Sequence, residues 1–357
     1  MRYFDAASAD PTHRTAGVPI AIITGAGTGK ELSAIFVNAL STVCASRGEQ
    51  VSFVHYPRVV DTYHSIRRLS PLEIESRVAS QVDELFEFLA KFAQAGGRAV
   101  FRTAINAEIL YRLRMRGQTV KEILFHRDGR RILIIRDQLQ GYYANEDMQV
   151  GPSRVTFAGS FSKESLELVF KYAFERARSE FSPGFEAWAV YKFHLFANVF
   201  ENWMRTDWPG IRWAQPNHAT EVMYDNIKRG FSRDVLVIVG NEAGDILHEV
   251  SIFAFGAGRR STLCSKCVYL SRRMRGLTEY QTVHGSVDEL AGTDTVNPEA
   301  TLRAVGELGR DVFGWRDLPA KFERGIKDAH EGGFKTPDLG GRKGSNEVAE
   351  RVLSRVV

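Results

Sequence analysis

The chain has 357 residues, 44% of them hydrophobic, and a net charge of +4 from 47 basic and 43 acidic side chains. That length suits one large α/β domain or two domains, the apolar content excludes a disordered chain, and so small a charge excess gives no reason to expect nucleic acid as a partner. Three cysteines, no apolar core of a signal peptide at the start, and no apolar run near the roughly 20 residues of a membrane helix predict a reduced, cytoplasmic protein with no membrane partner.

Val18 to Ile23 reads as a strand buried on both faces, because its apolar residues do not alternate with polar ones. It runs into Thr24-Gly25-Ala26-Gly27-Thr28-Gly29-Lys30-Glu31 and then a helical pattern, Leu32 to Ser46. A Walker-type phosphate loop would need Gly at Thr24 and a hydroxyl residue at Glu31. A dinucleotide fingerprint would need GxGxxG and an acid after the second strand, where Val54 is followed by His55 and Tyr56. Neither motif is present.

Ser70 to Gln94 has helical spacing, with Val78, Val82, Leu85 and Leu89 on one face. Beyond it come Arg98, Arg102, Arg112, Arg114 and Arg116, and a strand Arg131 to Ile135 that delivers Arg136 at its carboxyl end. Guanidinium groups brought together would clamp a carboxylate, and strand carboxyl ends are where open α/β sheets place ligands; a solvated basic helix explains the same run locally.

Lys163 to Arg178 reads as a helix and Ala187 to Lys192 as a strand ending in a lysine. Asp234 to Val239 is another buried strand, followed by Asn241 to Glu249. Asp245 and Glu249, four apart at a helix start, share a face and offer hard oxygens to Mg2+ or Mn2+, although acids at a helix start also complement its dipole. The pair Cys264 and Cys267 lacks the second pair or histidines of a zinc site and reads as packing. Thr278 to Thr282 is strand-like, and the glycine-rich loop from His284 to Asn297, ending at Asn297-Pro298 before a helix, suits an anionic or nucleotide ligand.

In this order and spacing, Ile22 to Gly29, Arg102 with Arg112, Ile135 to Tyr143, Tyr172 to Ala177, Lys192, Asn241 to Leu247, Val283 to Ser286, Ala291-Gly292, Asn297-Pro298 and Thr336 to Gly344 resemble the isocitrate/isopropylmalate dehydrogenase family, the metal-dependent β-decarboxylating dehydrogenases. The resemblance runs from about Pro19 to the C-terminus. It implies a two-domain α/β isopropylmalate dehydrogenase-like fold with a mixed sheet, not a Rossmann fold. Residues 1–111 with 258–357 would form a discontinuous cofactor-side domain, and residues 112–257 a central substrate and dimerisation domain.

The implied activity is NAD- and Mg2+- or Mn2+-dependent oxidative decarboxylation of a small 2-hydroxy-3-carboxy acid. Arg102, Arg112 and Arg136 fall on the residues that hold the substrate's carboxylates, and Tyr143 and Lys192 on the acid/base pair. Asp245 and Glu249 fall on metal carboxylates, with Glu221 as the third and Asp225 as the other candidate. Lys192 and one metal carboxylate would be shared across a homodimer. His284, Gly285, Ser286, Glu289, Leu290 and Asn297 fall on the adenine-nucleotide loop, where the Glu289 carboxylate favours NAD over NADP. Arg98, on the helix segment that reads the substrate's variable group, suits an acidic substituent, as in isocitrate, homoisocitrate or a phosphonate.

The chain also departs from the family. Ala26, Thr28 and Lys30 change the first glycine loop, Glu249 replaces an aspartate, and Arg259, Arg260 and the cysteine pair occupy a segment that is small and apolar elsewhere. These changes imply either an unusual substrate or a weakened enzyme, and the alternative to catalysis is a non-catalytic regulatory or assembly subunit that keeps the fold.

Overall fold

The computed structural model describes residues 17–127, 129–141, 149–150, 153–156, 158–191, 194–230, 232–254, 263–282 and 285–357. These fall into two compact units, a central one within Arg114–Arg259 and Val268–Gly276, and a terminal one within Ala7–Leu113, Arg260–Cys267 and Leu277–Val357.

In chain order the first stretch gives β1 (Val18–Ile23), α1 (Gly29–Ser46), β2 (Val51–His55), α2 (Tyr63–Ile66), α3 (Pro71–Gln94), β3 (Ala99–Arg102) and α4 (Ala107–Gly117). The expected helix from Ser70 is α3. Its start is fixed by a capping box in which the Ser70 hydroxyl and the Glu73 carboxylate satisfy each other's backbone amides, with Pro71 in the first turn. The middle gives β4 (Thr119–Arg127), β5 (Arg130–Asp137), β6 (Gln149–Val150), β7 (Val155–Thr156), α5 (Lys163–Glu180), β8 (Glu186–Val190), α6 (His194–Met204), β9 (Arg212–Ala214), α7 (Pro216–Arg229), β10 (Val235–Val239) and α8 (Asn241–Ala254). The end gives β11 (Cys264–Tyr269), β12 (Thr278–Thr282), α9 (Glu299–Phe313), α10 (Leu318–Glu331) and α11 (Ser345–Val356).

In the terminal unit the strands lie in the order β2-β1-β3-β12, each neighbouring pair parallel. Ile20 and Ile22 of β1 pack with Phe36 of α1, Phe101 of β3 and apolar residues of α9, α10 and α11. Phe36 and Phe101 stack with ring centroids 3.9 Å apart. Its place between β2 and β3 in this parallel sheet, with Ile20 to Ile23 buried, accounts for the unbroken apolar reading of β1.

In the central unit the order is β4-β5-β10-β8-β9. β5, β10, β8 and β9 are parallel, whereas β4 runs antiparallel to β5, so the sheet is mixed. Leu133, Ile135, Leu236, Ile238 and Ala189 of this sheet pack against Leu166, Val169, Phe170 and Ala173 of α5. All five residues of β10 are buried. The carboxyl ends of β5 and β10 therefore emerge together, since Ile238 and Val239 pair with Ile135 and Arg136.

Candidate active site

The carboxyl end of β5 carries the most organised group of charged side chains among the sequence candidates. Arg136 is 2% exposed. Its Nε donates to Asn241 Oδ1 at 2.6 Å, and its Nη1 donates to the Asp245 carboxylate. Asn241 opens α8 directly after β10, so a strand end and a helix start grip one guanidinium. Gly244 makes this approach possible, because a Cβ there would lie 2.7 Å from Arg136 Cγ.

β4 brings a second cation to the same place. Lys121 stands directly opposite Arg136 in the antiparallel register, and it too is buried. Like charges facing each other across a sheet repel, so this pair is costly to build without negative charge beside it. Asp245 supplies one such charge. Lys121 carries no signal of this in the sequence, because nothing in a strand lysine reveals which residue of the next strand it will face.

On the opposite face of β5, Asp137 is fully buried among hydrogen bonds from Leu139 N at 3.0 Å, Gln140 Nε2 at 2.8 Å and Tyr191 Oη at 3.3 Å. Loss of hydration raises its carboxyl from 3.8 to about 6 despite those donors, and the nearby Glu242 carboxylate pushes the same way. Burial likewise raises the Tyr191 phenol. Tyr191 immediately precedes Lys192. Lys192 itself, Tyr143 and His284 lie outside the described residues.

The metal candidates lie on two helices of the central unit. Asp245 and Glu249 are one turn apart on α8, both partly buried, and Glu221 is exposed on α7. Asp225, the alternative third ligand, is also exposed on α7, with its carboxylate 3.7 Å from Arg229. Among the described residues no group of three or more His, Cys, Asp or Glu side chains is placed to hold a metal ion. Two carboxylates with the i, i+4 spacing fit an oxygen-preferring divalent cation if further oxygens come from substrate, water or another subunit.

The other candidate arginines belong to the terminal unit. Arg102, at the carboxyl end of β3, is 2% exposed and already engaged. Its Nε donates to Glu279 at 2.9 Å, its Nη1 to the Thr103 carbonyl at 2.7 Å and its Nη2 to Gln281 of β12. Arg112 makes a two-pronged pair with Glu75 of α3, both contacts 2.7 Å, and a third contact with Glu108. Arg98 corrects the expectation that placed it on a helix. It is exposed in the turn between α3 and β3, at the opposite end of that strand from Arg102, because the glycine pair before it ends the helix; Gly96 has φ +91°.

The glycine-rich loop is tied down before any ligand arrives. Ser286 O accepts from Thr28 N at 3.2 Å and from the Thr28 hydroxyl at 2.8 Å. Asp288 Oδ2 accepts from the Thr62 hydroxyl at 2.8 Å, and Gly292 N donates to Glu31 of α1. Gly27, at φ +67°, lets this happen, since a Cβ would fall 2.8 Å from Ser286 O. Asn297 Oδ1 accepts from Glu299 N at the start of α9, while its Nδ2 donates to Asp338. Gly285 and Glu289 remain exposed and Leu290 half-buried, so loop atoms face solvent on a fixed frame.

Cys264 and Cys267 are three residues apart on β11 and so point to opposite faces. Cys267 is buried and accepts from Gln281 Nε2 at 3.2 Å, and burial pushes the Cys264 thiol up. They pack, as the sequence suggests.

The family model described as isocitrate/isopropylmalate dehydrogenase matches residues 100–352. A probable tartrate dehydrogenase/decarboxylase of Bacillus subtilis is 24% identical over 94% of this chain and 97% of its own length. A 3-isopropylmalate dehydrogenase of Lactococcus lactis is 29% identical over 33% of this chain and 32% of its own. Among solved structures, the apo form of a β-decarboxylating dehydrogenase from Thermococcus kodakarensis superposes with a TM-score of 0.63 at 18% identity, covering 95% of this chain and 96% of that one. An isocitrate dehydrogenase from Methylococcus capsulatus gives 0.63 at 18%, covering 95% and 99%. The two-domain α/β fold with its mixed sheet is the fold of those enzymes.

Proposed function

We propose, for a chain that belongs to the isocitrate/isopropylmalate dehydrogenase family, that it oxidises and decarboxylates a 2-hydroxy-3-carboxy acid with an acidic substituent, isocitrate-, homoisocitrate- or phosphonate-like, using NAD and Mg2+ or Mn2+. The family is one of metal-dependent decarboxylating dehydrogenases acting on small hydroxy-carboxylates. The observation that carries the reading is the buried Arg136 facing Asp245 at the joined ends of β5 and β10.

Arg136 is the group we assign to a substrate carboxylate, with Lys121 beside it adding positive charge. Arg102 and Arg112 are engaged by Glu279 and by Glu75 and Glu108, so we assign the substrate carboxylate to Arg136 and not to them. Asp245 and Glu249, with Glu221 from a second subunit, would hold the divalent cation. When bound, the cation supplies Lewis acidity at the substrate's hydroxyl oxygen. Lys192, contributed across a homodimer, would accept the hydroxyl proton, and NAD held by the late loop would supply the hydride acceptor for the carbon that bears that hydroxyl. The bond to the 3-carboxylate then breaks with loss of carbon dioxide, and Tyr143 returns a proton to the resulting enol carbon.

For the cofactor we assign His284, Gly285, Ser286, Glu289, Leu290 and Asn297 to the adenine nucleotide. The exposed Glu289 carboxylate can accept from ribose hydroxyls and would repel a 2′-phosphate. We propose residues 1–111 with 258–357 as the cofactor-side domain and 112–257 as the substrate domain, except that Val268–Gly276 packs with the central unit. A cytoplasmic location is consistent with the absence, among the described residues, of any helix long and apolar enough to cross a membrane.

Purified protein assayed with NAD, Mn2+ and a panel of 3-substituted malates should reduce NAD fastest with an acidic substituent, and Lys192→Met should abolish that turnover. A clear preference for 3-isopropylmalate would sink the substrate assignment. Equal turnover by parent and variant would remove Lys192 from the chemistry. No turnover with any acid would leave the non-catalytic alternative.

A further inference from the structure

Arg98 was the residue expected to read an acidic substituent, and it stands in a turn at the amino end of β3. The central unit offers a different set. Residues 114–118 (Arg-Met-Arg-Gly-Gln) and 270–276 (Leu-Ser-Arg-Arg-Met-Arg-Gly) together hold five arginines and no acid. The chain folds the two segments onto each other. Leu270 N donates to Gln118 O at 3.0 Å and Ser271 N to Gly117 O at 3.2 Å. Tyr269 lies so close that a Cβ on Gly117 would be 2.6 Å from its ring. The 270–276 turn is closed on itself by Met274 N to Ser271 O at 3.1 Å and Gly276 N to Tyr269 O at 3.2 Å, with Met274 buried beneath it. Arg116, Arg272, Arg273 and Arg275 are exposed on this frame, and Arg114 is buried.

This group adjoins Arg136 through the sheet. Gln118 leads directly into β4, whose Thr119 O accepts from Gln138 N at 3.2 Å. Two residues on, about 7 Å along the strand, Lys121 faces Arg136. A basic region therefore runs from the carboxyl end of β5 to the 270–276 turn. Every cation in the turn is an arginine and none is a lysine, which favours two-pronged recognition of an oxyanion over a merely solvated face.

We propose that Arg116, Arg272 and Arg273 bind a further anionic group, a carboxylate or a phosphonate, at the far end of the same substrate whose first carboxylate Arg136 holds. The proposal rests on the substrate reading given above and replaces Arg98 as the residue that reads the substituent. The ligand class it names is a small acid with at least three anionic groups. The turn is preformed by backbone hydrogen bonds, so only its arginine side chains need ordering to bind.

The test is calorimetric titration of the full-length protein with Mn2+ and no NAD, using malate, isocitrate and 3-(phosphonomethyl)malate. The parent should bind one of the two larger acids roughly 10- to 100-fold more tightly than malate, the factor expected for a charge-assisted hydrogen bond. Whichever is tighter identifies carboxylate or phosphonate. Arg272→Ser/Arg273→Ser should erase the preference, and Arg272→Lys/Arg273→Lys should restore part of it, a ratio that general loss of folding would not mimic. A preference that survives the serine pair, or a parent that binds malate as well as the others, overturns the proposal. Preference without turnover in the NAD assay would sink the dehydrogenase reading and leave this site standing. Salt-sensitive binding of a single-stranded oligonucleotide, lost in the serine pair and with no preference among the acids, would make the turn a nucleic-acid surface and also overturn it.

Discussion

Arg102 and Arg136 are the same residue in the same situation, each at the carboxyl end of a parallel strand and each 2% exposed. Their partners differ. Arg102 is surrounded by acceptors of its own sheet, with Glu279 and Gln281 on the next strand and the Thr103 carbonyl on its own chain. Glu279 is itself buried, so the pair is sealed. Arg136 is held by Asn241 and Asp245 at a helix start, and the Asp245 side chain is 37% exposed. A sealed pair holds a sheet together, whereas a pair with one solvated member can exchange that member for a ligand. Burial of an arginine therefore does not mark a site; the exposure of its partner does.

The largest expected effect breaks the sealed pair. Arg102→Met should lower unfolding stability in urea by about 3–5 kcal/mol, because it strands a buried carboxylate. Adding Glu279→Leu should recover most of that loss. If Arg102→Met instead unfolded like the parent and lost only substrate affinity, the contrast drawn between the two arginines would collapse.

Arg136→Gln should do the reverse. Asp245 can turn to water once its partner is gone, so stability should change little. The value of kcat/KM should fall roughly 100- to 1000-fold, about 3–4 kcal/mol, the usual consequence of losing a positioned charge in a site. Retention of parental kcat/KM would take Arg136 out of the site.

The smallest effect concerns Asp137, next to Arg136 but on the other face. Its folded pKa of about 6 lies above the ordinary 3.8, so the folded chain binds the proton more tightly than the unfolded chain. The contribution is therefore fully present below about pH 4 and is lost as pH rises through 6, by at most about 3 kcal/mol. Asp137→Asn should flatten that part of the stability-against-pH curve. An unchanged slope would show that the carboxyl titrates normally.

Much of the frame could be read from residues alone. β1 and β10 announce themselves as continuous apolar runs, α3 through its capping residues and 3.6-residue period, and the turn at Gly27 through glycines that a positive φ and a close Ser286 carbonyl require. The placement of Asp245 and Glu249 on one helix face was legible for the same reason. Lys121 was not legible, because its meaning comes from a register with β5 that only the paired strands define. The arginine turn was not legible either: residues 114–118 and 270–276 are about 150 positions apart in sequence, and two backbone hydrogen bonds join them.

Local periodicity and glycine chemistry thus determined by themselves where strands, helices and the late loop would form, since those depend on neighbours within a few residues. Order and spacing of short motifs determined the family. Which charges are neutralised inside and which face outward was decided by the tertiary structure alone. Electrostatic partners are chosen by distance in space, and Arg102 with Glu279 and Arg136 with Asp245 are each more than a hundred residues apart along the chain.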